Sequence, residues 1–211
     1  MTPLADALAW ANDIVFTIAR DHVTWAELLG FVTGVAAVWL AAVRRMSNWP
    51  IGIANSAFFG LLFVDARLYA DASLQLVYIA LGFFGWWAWL RLGPDQTRLD
   101  VRSAGRGLLL ATAAGVVAAA LILVPVLHSA GDSAPVLDAI TTALSLGAQF
   151  LLCLKRVENW FWWMAADLIY IPLYMSRELV LTAVVYVVFL TICVRALPQW
   201  RRAARELPAV A

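Results

Sequence analysis

The sequence predicts an all-α integral membrane protein of seven transmembrane helices, built as two parallel three-helix repeats joined by a linker helix. Three observations predict it: an apolar composition, seven long apolar stretches, and a repeat at constant offset. Of 211 residues, 64% are hydrophobic and only 14% charged, against about 45–50% and about 25% in soluble domains. The apolar stretches run over Trp25–Val43, Trp49–Val64, Ser73–Leu90, Leu108–Leu127, Val136–Leu154, Trp160–Tyr174 and Leu179–Ala196. Each is long enough, or nearly so, to cross a hydrocarbon core about 30 Å thick. Backbone groups in lipid must bond within their own segment, so these stretches read as helices. The alternation expected of barrel strands is missing.

The second half echoes the first at an ungapped offset of 111. Arg44-Arg45 aligns with Lys155-Arg156, and Asn48-Trp49 with Asn159-Trp160. Leu62 meets Leu173, Leu68 meets Leu179, Ala72 meets Ala183, and Trp89-x-Arg91 meets Trp200-x-Arg202. Each repeat holds three spans, over 24–91 and 136–202, and the span within 105–127 is left as the linker. Three spans invert the direction of the chain and the fourth restores it. The repeats are therefore parallel, related by an axis along the membrane normal, as in one class of transporters. The linker is rich in Leu, Ala and Val and reads as lipid-facing, with Pro125 near its end. Residues 203–211 form a cytoplasmic tail.

Ahead of the first span, Leu4, Ala7, Leu8, Ala11, Ile14, Val15 and Ile18 share one helical face opposite Asp6 and Asp13. Residues 1–23 are accordingly expected to form an amphipathic helix on the outer membrane surface. No basic residue precedes Arg20, which argues against a cleavable signal peptide. Orientation follows from the basic residues. With the start of the first span outside, Arg44, Arg45, Arg91, Arg98, Arg102, Arg106, Lys155, Arg156, Arg195, Arg201, Arg202 and Arg205 fall inside. Only Arg20, Arg67 and Arg177 fall outside. That asymmetry in short loops predicts an outside N-terminus and a cytoplasmic C-terminus in a cell inner membrane.

A net charge of +1 carries no sign of a nucleic-acid partner; the lipid bilayer is the partner the composition demands. Cys153 and Cys193 lie within spans, where packing as small apolar residues is the simplest role. No metal-ligand spacing, no cofactor motif and no nucleophile–base pair appears. His22 and His128 stand far apart at the outer ends of spans. An enzyme is therefore not expected.

The polar residues inside the spans form stripes. Asn159, Trp163, Asp167, Tyr170 and Tyr174 fall within an arc of about 80° on one helix face. A carboxylate among tryptophans and tyrosines inside a membrane is costly unless it meets a partner, and so marks a candidate ligand site. On the third span Gln75, Tyr78, Gly82, Trp86 and Trp89 share another face of about 80°. On the second, Asn48, Gly52, Asn55, Ser56 and Phe59 cover a similar arc; Asn55 suits either an interhelical hydrogen bond or a ligand contact. Thr141 or Thr142, Ser145 and Gln149 follow near-helical spacing on the fifth span, and Gln149 stands out because hydroxyls often bond their own backbone. Trp89 and Trp160 read as interfacial belt residues. Candidate substrate-binding residues are thus Asn55, Gln75, Tyr78, Trp86, Gln149, Asn159, Trp163, Asp167, Tyr170 and Tyr174. Tryptophan faces attract cations and the carboxylate neutralises charge. Gln, Asn and Tyr bond hydroxyls or a carboxamide. A flat cationic heteroaromatic joined to a polyhydroxyl group satisfies all three.

The segment from Asn48-Trp49-Pro50-Ile51-Gly52 through Leu68-Tyr69-Ala70-Asp71 and Leu74-Gln75-Leu76-Val77-Tyr78 to Gly85-Trp86-Trp87-Ala88-Trp89 resembles the PnuC family of vitamin transporters. So does Lys155-Arg156-Val157-Glu158-Asn159-Trp160 with Trp163, Asp167, Pro172 and Tyr174. The resemblance covers residues 25–202 in order. It implies a three-plus-one-plus-three architecture related to SWEET sugar transporters and facilitated diffusion of nicotinamide riboside by a homotrimer. It also implies a cytoplasmic kinase that phosphorylates the arriving riboside and traps it. Relatives carrying thiamine, riboflavin or another nucleoside-like vitamin share the fold, so the resemblance leaves those as the alternative cargo.

Overall fold

Where polar side chains interrupt the apolar stretches the chain turns, and seven helices result among the described residues. In the computed structural model these are residues 10, 13–18, 21–65, 69–92, 99–131 and 134–206. The helices are α1 (Trp25–Ala42), α2 (Asn48–Asp65), α3 (Tyr69–Arg91), α4 (Arg106–Ser129), α5 (Pro135–Cys153), α6 (Asn159–Ser176) and α7 (Val180–Arg205). Five are long and apolar enough to cross a membrane: α1, α3 from Ala72, α4, α5 and α7. Asn48–Val64 is apolar but shorter, and in α6 Asn159, Asp167 and the tyrosines dilute the apolar character. α7 continues past the predicted end of its span, because Trp200 is fully buried while Arg201, Arg202 and Arg205 face outward.

The repeat is visible in the backbone. α1 and α5 both end in a residue of the left-handed region, Arg44 at φ 60° and Lys155 at φ 54°. Each follows a paired closing motif. Arg44 N–H bonds Ala41 O and Arg45 N–H bonds Leu40 O; 111 residues later Lys155 N–H bonds Leu152 O and Arg156 N–H bonds Leu151 O. This double bond satisfies carbonyls orphaned at a helix end. A non-glycine residue there costs about 1–2 kcal/mol, and both repeats accept it at the same place. The same carbonyl ends then face the other repeat. α3 packs on α5, and α7 packs on α1, so the third helix of each repeat lies against the first helix of the other. α4 packs mainly on α5 and leaves Leu110, Val117 and Leu121 exposed, as a lipid-facing linker should.

The end of the molecule bearing the basic loops holds its main core. Trp49, Trp89, Trp160 and Trp200 are buried there together with Cys153, Val157 and Cys193. Trp49 meets Trp89 edge to face with centroids 5.3 Å apart; its repeat counterpart, Trp160 against Trp200, stands at 5.4 Å. The indole of Trp89 donates to Leu152 O at 3.0 Å and that of Trp200 to Ala42 O at 2.9 Å. Two reciprocal bonds therefore tie each repeat to the other. Trp89 and Trp160 are core residues and not interfacial anchors. The connection before α4 adds a clamp: Arg102 N–H bonds Lys155 O, Val157 N–H bonds Arg102 O, and Lys155 Nζ donates to Leu99 O at 2.8 Å.

The expected N-terminal amphipathic helix is not what residues 14–24 form. β1 (Ile14–Ile18) pairs antiparallel with β2 (Asp21–Thr24), while residues 1–9 lie outside the described part. The apolar spacing suits a helix, yet Ile14, Val15, Phe16, Thr17 and Ile18 are β-branched or aromatic, which favours a strand. Thr24 then starts α1 through a capping box, its Oγ1 accepting from Glu27 N–H and its own N–H donating to Glu27 Oε2.

Gly85 makes the Trp49 position possible, because a Cβ at residue 85 would overlap the Trp49 ring. Trp49 is buried and has nowhere to go. Gly85→Ala is expected to lower the melting temperature of the detergent-purified protein by roughly 2–10 °C. Gly115, whose Cβ would meet nothing within 4 Å, serves as the control. An equal effect from both alanines would refute the packing account.

Candidate functional site

A cavity of about 1050 Å³ lies between the two repeats, lined by α1, α2 and α3 on one side and α5, α6 and α7 on the other. That volume is at the upper end for sites that enclose a small organic ligand. Its lining obeys the repeat. Gly34, Val38 and Ala41 of α1 answer to Ser145, Gln149 and Leu152 of α5, each 111 residues on, and all six line the cavity. On the third helices Gln75, Tyr78 and Gly82 answer to Tyr186, Phe189 and Cys193.

Of the ten residues expected from sequence, the structure brings Asn55, Gln75, Tyr78, Gln149, Trp163, Asp167, Tyr170 and Tyr174 to the cavity. Trp86 and Asn159 are not there. Trp86 packs against the tryptophan core because the face it shares with Gln75 dips into that core at the basic end. Asn159 is fully buried at the start of α6, where its Nδ2 donates to Arg156 O at 2.6 Å and closes the loop. Asn55 does both things the sequence allowed. Its Nδ2 donates to Thr33 Oγ1 at 2.6 Å and to Gly30 O at 3.1 Å, bridging α2 to α1, while the residue lines the cavity.

Sequence reading missed Tyr186, Phe189 and Cys193 on α7, all of which line the cavity. The offset of 111 applied to Gln75, Tyr78 and Gly82 would have found them. Together with α6 they make the second repeat an aromatic wall. Tyr186 lies 4.5 Å from Tyr170 and 5.3 Å from Tyr174 between ring centroids, and Phe189 meets Tyr186 edge to face at 5.6 Å. The first repeat offers Phe63, Gln75 and Tyr78 instead. The linker is not purely lipid-facing either, since Ala119, Ile122, Leu123, Val126 and Leu127 add an apolar wall.

Asp167 sits at 2% exposure, one helix turn from Tyr170 on the same face. Its Oδ2 accepts from the Cys193 thiol at 3.8 Å, a weak donor that does not neutralise a carboxylate. At the repeat-equivalent position stands Ser56, which also lines the cavity. The other charged pair on the lining, Arg177 and Asp138, is bound to itself at 2.9 Å across the end opposite the basic loops. Charge inside the cavity is therefore concentrated on one wall. An aromatic box with one buried carboxylate, lined also by amide and hydroxyl groups, has the chemistry to hold a flat polar or cationic molecule.

The cavity is closed toward the basic end by the tryptophan core. Trp49 and Trp160 are 3% and 1% exposed and still reach the lining. Toward the other end it reaches Asp138 and Arg177, whose side chains keep 19% and 30% exposure. A site between two repeats, sealed at one end and approached at the other, is the arrangement alternating access requires.

Comparison with known proteins agrees with this geometry. Residues 24–202 match the model of the nicotinamide mononucleotide transporter family. The nicotinamide riboside transporter PnuC of Escherichia coli K12 is 26% identical over 211 aligned residues, covering 87% of each chain. The riboflavin/roseoflavin transporter RibM of Streptomyces davaonensis is 28% identical, covering 90% of this chain and 91% of its own. In fold, the crystal structure of the vitamin B3 transporter PnuC superimposes with a TM-score of 0.69 at 23% identity, covering 86% of this chain and 83% of that one. The chain thus belongs to the nicotinamide mononucleotide transporter family, as a multi-pass membrane transporter and not an enzyme.

Proposed function

We propose that this transporter carries nicotinamide riboside into the cell by facilitated diffusion, with the two repeats, 24–91 and 136–202, rocking about the cavity. The observation that carries the reading is Asp167 buried beside Trp163 and the tyrosine wall. A pyridinium ring is flat and cationic, so it stacks on the aromatics while the carboxylate balances its charge. Gln75, Gln149 and Asn55 supply partners for ribose hydroxyls. The named PnuC relatives support the same cargo. The excess of arginine and lysine at one end supports a cytoplasmic basic end and C-terminus in an inner membrane, with the N-terminus outside. The family resemblance further supports a homotrimer and trapping of the riboside by a cytoplasmic kinase.

RibM favours a second cargo, riboflavin, because its match spans slightly more of the chain than that of the Escherichia coli protein. A thermal-shift panel of nicotinamide riboside, riboflavin, thiamine and common nucleosides separates the cargoes, since a ligand of the native state raises its stability by mass action. Nicotinamide riboside is expected to give the largest shift. In proteoliposomes its uptake should reach equal concentrations on both sides without an ion gradient. Accumulation driven by an imposed pH or sodium gradient would refute facilitated diffusion.

A further inference from the structure

Among the described buried side chains, three that reach the cavity hold polar atoms with no protein partner, and they cluster at its cytoplasmic floor. Both Nδ2 and Oδ1 of Asn48 are unpaired, as are the indole nitrogens of Trp49 and Trp160. The three residues are 4%, 3% and 1% exposed and all line the cavity. Buried polar groups are normally satisfied, so each unpaired one calls for a cause. Repeat symmetry supplies a comparison. Asn159, the counterpart of Asn48, turns its Nδ2 back to Arg156 O, keeps only its Oδ1 unpaired and stays off the lining. Asn48 could bond the equivalent Arg45 O in the same way, yet its amide is left free. One asparagine closes a loop and the other faces the cavity.

We propose that Asn48 is a specificity residue that reads an amide or imide edge of the cargo, an N–H donor beside a carbonyl acceptor. Its Oδ1 accepts the cargo's N–H while its Nδ2 donates to the cargo's carbonyl. The Trp49 and Trp160 indoles leave two further unpaired donors on the lining. A carboxylate at that edge would satisfy the donors but leave Oδ1 facing a like charge, so the floor discriminates amide from acid. The inference rests on the proposed transport reading and adds the orientation of the cargo: heterocycle edge toward the cytoplasm. Two sources carry that chemistry, the carboxamide of a nicotinamide riboside and the imide edge of a flavin.

The test measures dissociation constants of nicotinamide riboside, its carboxylate analogue nicotinic acid riboside, and riboflavin on the full-length purified protein and on Asn48→Ala. The wild type should prefer carboxamide over carboxylate by roughly tenfold to a hundredfold. In Asn48→Ala that ratio should collapse to about threefold or less, the cycle cancelling the charge difference between the two ligands. Loss confined to the riboside pair identifies the carboxamide, and loss confined to riboflavin identifies the imide. An unchanged ratio in a variant that melts like the wild type overturns the subsite and leaves the transport reading intact. Should Asn48→Ala not fold, equal wild-type affinity for the two ribosides, without riboflavin binding, overturns it alone. Failure of the wild type to bind any of the three overturns both.

Discussion

Asp167→Asn is expected to weaken binding of nicotinamide riboside by about thirtyfold to a hundredfold, and Trp163→Ala by a comparable factor. Asparagine preserves the shape of the side chain and its contact with the Cys193 thiol, so the change removes charge and little else. In a cavity that excludes water, losing the partner of a buried cation costs about 2 kcal/mol or more. Removing a buried carboxylate whose neighbour is only a thiol should leave the melting temperature of the ligand-free protein unchanged or higher. Affinity and stability are therefore expected to move in different directions. A neutral ligand such as riboflavin should lose much less affinity than the cationic riboside in Asp167→Asn. Isothermal titration of both ligands on both variants checks this, and unchanged affinity in the two variants would remove Asp167 and Trp163 from the site.

The second large effect concerns the seal at the basic end. Replacing Trp89 and Trp200 together by phenylalanine should shift the transporter toward an inward-open form. The rings keep most of their packing, but Leu152 O and Ala42 O lose their indole donors. Ala42 O is then left unpaired in the closed form at a cost of about 1–3 kcal/mol, while Leu152 O keeps Lys155 N–H and loses one bond worth about 0.5–1.5 kcal/mol; an opened end lets water reach both. Together the two losses move a two-state ratio by a factor on the order of 10 or more. Cys193 lines the cavity and is 1% exposed, so it reports the opening. In a Cys153→Ala background its labelling by a membrane-impermeant thiol reagent from the side of the basic loops should accelerate at least tenfold. Acceleration from the outer side alone would contradict the seal.

The helices and the repeat were legible because both leave marks that need no tertiary context. Apolar runs must be helices in lipid, and paired Asn-Trp and Trp-x-Arg motifs keep their spacing. Most of the cavity lining was legible too, since a polar stripe on a buried span has few alternatives. The N-terminal hairpin was not, because its apolar residues satisfy a helical face while their β-branching favours pairing. Tyr186 and Phe189 on α7 sit among Val, Leu and Ile, and Cys193 reads as a small packing residue there; only the symmetry with Gln75, Tyr78 and Gly82 singles the three out as lining. Asn48 and Asn159 show the limit. Identical residues in equivalent positions divide into one that closes a loop and one that faces the cavity, a choice made by side-chain rotation.

The bond from Trp200 to the Ala42 carbonyl spans 158 residues. During synthesis the C-terminal end of α1 is therefore left without that donor until those 158 further residues have been made. Repeat 1 cannot complete its own core, because the helix that finishes it belongs to repeat 2. The same dependence runs the other way through Trp89 and Leu152. Two half-length chains, divided between α3 and α4, carry complementary unfinished ends, and each is the other's natural chaperone.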